Sequence, residues 1–238
     1  NYKLNYSISK NLEKDIAQEI SKKKIIGLFQ GKAEFGQRSL GNRSILADPR
    51  WKKTKEILNQ KIKKRDWFMP FAPAILDTEF KNFFNSESPS LYMQKAEKVI
   101  KSKISMIPAA VHYDHTSRVQ YVDRKLNKKF WNIIKEFQKI TKIPIILNTS
   151  FNRHGISTIS TPRQAIDHLL EGCIDVLYLE KYKIEIHKNR IINKRQEIFL
   201  KEEYLLKKNN LIWLKNNRSK MNKKNIKMFE KNIRRLKG

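Results

Sequence analysis

A single cysteine, Cys173, leaves the chain without any possible internal disulfide, which excludes a disulfide-stapled secreted scaffold and fits a reducing, cytoplasmic setting. Alone, Cys173 reads as a small buried hydrophobe. No apolar run approaches the roughly 20 residues that a membrane-spanning helix needs, so no membrane role is expected. The opening stretch 1–10 has no apolar core of the signal-peptide kind. The first residue is Asn1 rather than Met, which reads as a fragment or a processed product. No internal repeat is visible, and acidic residues are scarce, 23 against 51 Lys and Arg.

That imbalance gives a net charge of +28 and admits two readings. One is a surface for polyanions such as nucleic acid, nucleotide phosphates or anionic lipid. The other is compositional, because Lys, Asn and Ile abound along the whole chain. The charge is densest at the end: residues 188–238 hold 17 Lys and Arg against 4 Asp and Glu. Hydrophobic residues still make up 39% of the chain, enough to fill a core, so a folded domain is expected despite 31% charged residues. The length suits one domain, 1–187, with a basic, mostly helical extension at 188–238.

Several elements announce themselves. Leu12, Ile16 and Ile20 share one helical face within 9–23, with Ser9 as a candidate N-cap. The run 25–30 reads as a buried strand, 31–44 as a polar loop, and 51–64 as a basic amphipathic helix. Pro70 and Pro73 bracket an extended segment near a sheet edge or at its start. Residues 77–105 have no clear pattern. Ala109–Tyr113 and Arg118–Val122 read as two short strands. The clearest helix is 127–141, with Phe130, Ile133, Ile134, Phe137 and Ile140 in register. A strand at 144–148 leads into a polar loop. Thr161 and Pro162 then supply the cap and first position of a helix reaching Gly172, and two strands follow around a tight turn. Such alternation predicts an α/β fold with a mixed sheet.

Four segments hold polar groups that a fold does not need. Gly31–Ser44 joins three glycines to Arg38 and Arg43, whose forked donors suit phosphate or carboxylate oxygens. It lacks the Gly-Lys-Ser/Thr of a Walker A loop, and a merely flexible basic loop is the alternative. Lys61–Asp66 places cations where a helix dipole also favours them. Asn148–Gly155 sets amides and hydroxyls at the C-terminal end of a strand, where open α/β sheets hold ligands, though Asx-turn chemistry would use the same residues. In His112–Gln120 the histidines at 112 and 115 point to opposite faces of a strand, which disfavours a metal and leaves Arg118 as a phosphate-positioning group.

The stretches GxAEFGxRSLGNRSILADPR, K-x-R-(D/E)-x-F-x-PFAP at 63–73, H-x-D-x-TSRVQ-x-V at 112–122 and PIILNTSFNxxG at 144–155 resemble the C-terminal domain of NodU/CmcH/TobZ carbamoyltransferases. Matches extend over about 25–187, and Lys63-x-Arg65 with the 148–155 loop is similar to elements of YrdC-like proteins. The resemblance implies a YrdC-like mixed parallel and antiparallel twisted sheet flanked by helices. It implies binding of ATP and carbamoyl phosphate, formation of carbamoyl-adenylate, and Mg²⁺ arriving with the nucleotide. An N-terminal ASKHA-type domain, not found in this chain, would carry a metal and transfer the carbamoyl group to a hydroxyl-bearing acceptor. Joining two anions and expelling pyrophosphate calls for fixed cations more than for a nucleophile. Lys63, Arg65, Arg38 and Arg118 are the candidate catalytic groups. Arg43, Ser44, His112, Asn148, Ser150 and Asn152 are the candidate nucleotide and carbamoyl contacts.

This chain departs from the family pattern at Gln37 and Ser39, at Met69, at Ile156-Ser157 and at His115, where a missing glycine predicts a strained φ. The competing function is an RNA-binding module without turnover, drawing on Phe199, Tyr204, Trp213 and Phe229 among the tail's cations. An inactive scaffold for a partner subunit is a third reading.

Overall fold

Asn11 opens the first helix, α1 (Leu12–Ser21): its side-chain oxygen accepts the Lys14 N–H at 3.1 Å. The expected cap, Ser9, instead donates its hydroxyl to Asp15. These features come from a computed structural model that describes residues 4–66 and 69–186. The basic extension 188–238, with its four aromatics, lies outside the described residues.

Before α1 lies β1 (Asn5–Ile8), a strand exposed at every position, and after it β2 (Ile26–Phe29), buried at every position. β3 (Arg43–Ala47) is also wholly buried and pairs antiparallel with β2, placing Arg43 opposite Phe29 and Ser44 opposite Leu28. The polar loop is therefore shorter than expected. Arg43 and Ser44 read as loop residues because of their polarity, yet they form ladder pairs inside the sheet.

The basic helix has two parts: α2 (Lys53–Leu58) continues into a π-helical turn over Asn59–Lys63, closed by Lys64 at φ 41°. β4 (Ala72–Leu76) begins after Pro70 and contains Pro73. α3 (Phe80–Phe83), β5 (Phe84–Asn85) and β6 (Glu97–Val99) are short. β7 (Thr116–Ser117) and β8 (Gln120–Val122) come next.

Ala109–Tyr113 is not a strand. Ala110 N–H turns back to the Ile107 carbonyl at 2.9 Å, and His112 N–H bonds to the Thr116 carbonyl at 2.8 Å, closing a turn. Within that turn His115 adopts φ 63°, as its place in a glycine position predicts. The second predicted strand is confined to Gln120–Val122.

Helix α4 (Lys128–Thr141) has Asn127 as N-cap and buries Phe130, Trp131, Ile133, Ile134 and Phe137. Burial of each large apolar side chain contributes about 1.5–3 kcal/mol. Ile140, expected in this core, is 45% exposed, at the helix end where the apolar stripe turns to solvent. β9 (Ile145–Ser150) and α5 (Pro162–Leu170) follow, the latter with the Thr161 cap completed by Gln164 into a capping box. The pair β10 (Val176–Leu179) and β11 (Tyr182–Glu185) ends the described fold.

The main sheet has eight strands in the order β1-β11-β10-β2-β3-β9-β4-β8. The pairs β10–β2 and β4–β8 are parallel and the others antiparallel, the mixed α/β sheet that the sequence predicts. Pro73 sits one strand in from the edge and ahead of the β8 pairing, which begins at Ala74. β5, β6 and β7 form a separate small sheet. α1 packs along α4, α4 also lies against β4 and β9, and α5 lies against β10 and β2. Cys173 is free and fully buried, and burial pushes its thiol up to about 12, so it belongs to the core. Among the described residues no helix is long and apolar enough to cross a membrane.

Candidate functional site

Strands β3, β9, β4 and β8 are neighbours, and their register gathers polar residues from distant parts of the chain. Ser44 stands opposite Ser150, Leu46 and Ala72 oppose Asn148, and Ala74 opposes Gln120. Period-two alternation then sets Ser44, Asn148, Ser150 and Gln120 on one face. Ser44, Asn148 and Gln120 are buried.

Lys63, at the end of the π turn, reaches the end of β9. Its ammonium donates to Ser150 O (2.8 Å), Ser150 Oγ (3.1 Å), Asn152 O (3.0 Å) and Asn152 Oδ1 (2.6 Å). Ser150 Oγ in turn donates to Asn152 Oδ1 at 2.6 Å. Burial, reinforced by the Arg65 charge and opposed by Cys173, holds the Lys63 pKa down to about 7. Arg65 donates through Nε to Asn59 Oδ1 (2.7 Å) and through Nη2 to Pro70 O (3.0 Å), and lies 4.6 Å from the Phe71 ring centroid. The Lys61–Asp66 and Asn148–Gly155 segments therefore meet directly.

The glycine-rich loop joins them from the other side. Asn148 Nδ2 donates to Ser39 O (2.9 Å) and to Gln120 Oε1 (2.7 Å), while Gln120 Nε2 donates to Leu40 O (3.1 Å). Backbone carbonyls only accept, so both amide orientations are fixed by chemistry. Asn148 Oδ1 is left buried without a donor. Asn127, besides capping α4, donates Nδ2 to the same Leu40 carbonyl at 3.0 Å. Gly41 takes φ 121° where a Cβ would come within 2.5 Å of the Phe130 ring, so the loop lies directly on α4.

Within the loop, Glu34 Oε1 accepts the N–H groups of Leu40 (2.7 Å), Asn42 (2.7 Å) and Arg43 (3.2 Å). Arg43 braces the loop ends: its guanidinium donates to Gln30 O (2.7 Å) and Gly31 O (3.0 Å) and sits 3.5 Å over the Phe29 ring. Ser44 Oγ accepts the Gly41 N–H at 3.0 Å. Arg38 and Arg118 are exposed, the latter on the segment between β7 and β8. His112 pairs Nδ1 with Thr116 Oγ1 at 3.0 Å and keeps a buried Nε2 without a partner. Burial lowers its pKa, Asp114 opposes this, and the charges of Arg118 and Lys55 lower it further.

The structure thus joins Lys63, Ser150 and Asn152 in one hydrogen-bonded group and links Asn148 to the loop that carries Arg38. It draws Arg118 and Lys55 within electrostatic reach of His112. Sequence reasoning assigned no role to Glu34, Asn59, Gln120 or Asn127. Glu34, the one carboxylate inside a glycine-rich basic loop, and Gln120 both stand in the motifs quoted above, whereas Asn59 and Asn127 carry no such signal. Among the described residues no three His, Cys, Asp or Glu gather to hold a metal.

Comparison with known proteins places this geometry in context. An uncharacterized protein of Methanocaldococcus jannaschii is 41% identical over 169 residues, covering 71% of this chain and 28% of its own. Nodulation protein NolNO of Sinorhizobium fredii is 38% identical over 172 residues, covering 71% and 25%. The chain spans about a quarter of the length of these relatives. A crystal structure of full-length HypF, in the phosphate- and nucleotide-bound form, aligns with TM-score 0.47 and 17% identity over 80% of this chain and 23% of that one. Residues 17–186 match the family described as Carbamoyltransferase C-terminus, and the chain belongs to that family.

Proposed function

We propose that this chain is the carbamoyl-activating part of an ATP-dependent O-carbamoyltransferase. The observation that carries the reading is the convergence of Lys63, Ser150 and Asn152 at the end of β9, beside the buried acceptor of Asn148. Carbamoyl phosphate first loses orthophosphate to water, leaving carbamate. A carbamate oxygen then attacks the α-phosphorus of ATP, the bond from that phosphorus to the bridging oxygen of the β-phosphate breaks, and pyrophosphate leaves. Carbamoyl-adenylate remains. Charge builds on phosphoryl oxygens throughout, so preorganised cations supply most of the stabilisation. Lys63 and Arg65 act at the strand end, and Arg38 and Arg118 approach from exposed segments. Asn148 Oδ1 accepts an N–H of the carbamoyl amide, while Ser44, Ser150, Asn152 and His112 orient the adenylate. Arg43 holds the loop that carries Arg38. Mg²⁺, bound with the nucleotide, would supply further charge neutralisation at its phosphates.

Transfer to a hydroxyl acceptor is assigned to an N-terminal ASKHA-type domain. The chain itself, given ATP, Mg²⁺ and carbamoyl phosphate, is expected to release both pyrophosphate and orthophosphate without carbamoylating an acceptor. Calorimetry with the two substrates, alongside phosphate assays, tests this. A folded sample that binds neither at millimolar concentration overturns the reading. So does salt-steep, sequence-indifferent RNA binding without nucleotide turnover.

A further inference from the structure

Lys63 and Arg65 are two residues apart, and in a regular α-helix their side chains would diverge by about 200° around the axis. The π turn over Asn59–Lys63 and the left-handed Lys64 replace that regular geometry, and the Arg65 charge acts on the Lys63 ammonium. Turns of this kind are frequent at functional sites.

Asn59 anchors the distortion. Its carbonyl accepts the Lys64 N–H that closes the turn and the Arg65 N–H at 3.2 Å. Its Oδ1 accepts Arg65 Nε at 2.7 Å, and its Nδ2 donates to Met69 O at 2.9 Å. Since Met69 O can only accept, the amide cannot be flipped, and the oxygen is committed to Arg65. The Pro70 carbonyl and the Phe71 ring hold the far side of the guanidinium. Asn59 is fully buried at the end of an amphipathic helix, where an apolar residue would favour both helix and core. Its polarity therefore serves the groups that it binds.

We propose that Asn59 is a positioning residue: it fixes the Arg65 guanidinium in the orientation that meets the phosphates, without touching substrate itself. The inference rests on the carbamoyl-activation reading above, and pyrophosphate release by the unmodified chain is the control that separates failure of one from failure of the other. Asn59→Ala is expected to lower kcat/KM for ATP by about tenfold to a hundredfold, the scale of a misplaced binding group. In an Arg65→Ala background the same change is expected to cost less than threefold, because its target is gone. Asn59→Asp, which keeps the acceptor but loses the donor to Met69 O, completes the cycle if the alanine variant does not fold. Its effect too should largely vanish without Arg65. Equal losses in the two backgrounds, with either variant, would mean that Asn59 acts through the fold alone and overturn the proposal.

Discussion

Lys63 Nζ donates to Asn152 Oδ1 at 2.6 Å, across 89 positions of sequence. The contact closes the end of β9 onto the π turn and makes one ammonium responsible for both a local shape and a local charge. Its protonation therefore has two consequences of opposite sign.

The first prediction concerns pH. With burial holding Lys63 at about 7 against an ordinary 10.5, the unfolded chain binds more protons between these values. The contribution of Lys63 to stability therefore rises with pH across that window and is least favourable below it. Activity moves the other way, because the ammonium is lost as pH rises through about 7. Bound phosphates favour the charged form, so the alkaline limb of kcat should lie at higher pH than that of kcat/KM. Steady-state pyrophosphate release across pH measures both limbs. A flat alkaline side in kcat/KM would remove the Lys63 ammonium from the reaction.

Substitution of the cations should separate site from general electrostatics. Lys63→Ala and Arg65→Ala are each expected to slow pyrophosphate release by roughly tenfold to a thousandfold. Arg153→Ala should do much less, since Arg153 Nη1 pairs with Glu171 Oε2 at 3.0 Å. Equal losses in all three variants would point to overall charge.

Gly41→Ala tests the seat of the loop on α4. A Cβ at φ 121° would be strained and would overlap the Phe130 ring. The expected loss is about 2–4 kcal/mol, from backbone strain plus overpacking. This corresponds to a fall of roughly 5–15 °C in melting temperature. An unchanged melting curve would mean that the loop can leave α4 freely.

Two helix caps provide a matched pair. Thr161→Ala removes only the capping box of α5 and should cost about 1 kcal/mol with unchanged turnover. Asn127→Ala removes a cap and also the tether to Leu40 O, so denaturant unfolding should show a comparable loss while the KM for substrate rises. Identical kinetics for both variants would show that the tether has no bearing on the site.

The elements that sequence reasoning located are those whose causes are local. Helix α4 follows from the spacing of Phe130, Ile133, Ile134 and Phe137, and α5 from Thr161-Pro162. The positive φ of His115 follows from the glycine position that it occupies. β3 was hidden because Arg43 looks solvent-seeking, and only the folded sheet supplies the Phe29 ring and the Gln30 and Gly31 carbonyls that accommodate it. β1 carries no buried face to mark it, and β5–β7 exist through partners such as Phe84 with Val99 and Glu97 with Ser117. In the site, motif residues stood out by type. Asn59 did not, because it looks like an ordinary polar residue until its partner, Arg65, is brought beside it.

Glu34 has a thermodynamic consequence. By collecting the N–H groups of Leu40, Asn42 and Arg43, its carboxylate fills the role that an incoming anion plays in many glycine-rich loops. The loop therefore carries an internal counter-ion and holds its shape before any ligand arrives. If the loop binds phosphates as proposed, little ordering entropy would remain to be lost, and the cost would be a negative charge kept close to them. Discrimination would then rest on how a ligand's charge is distributed around that fixed carboxylate, and less on how much charge it brings.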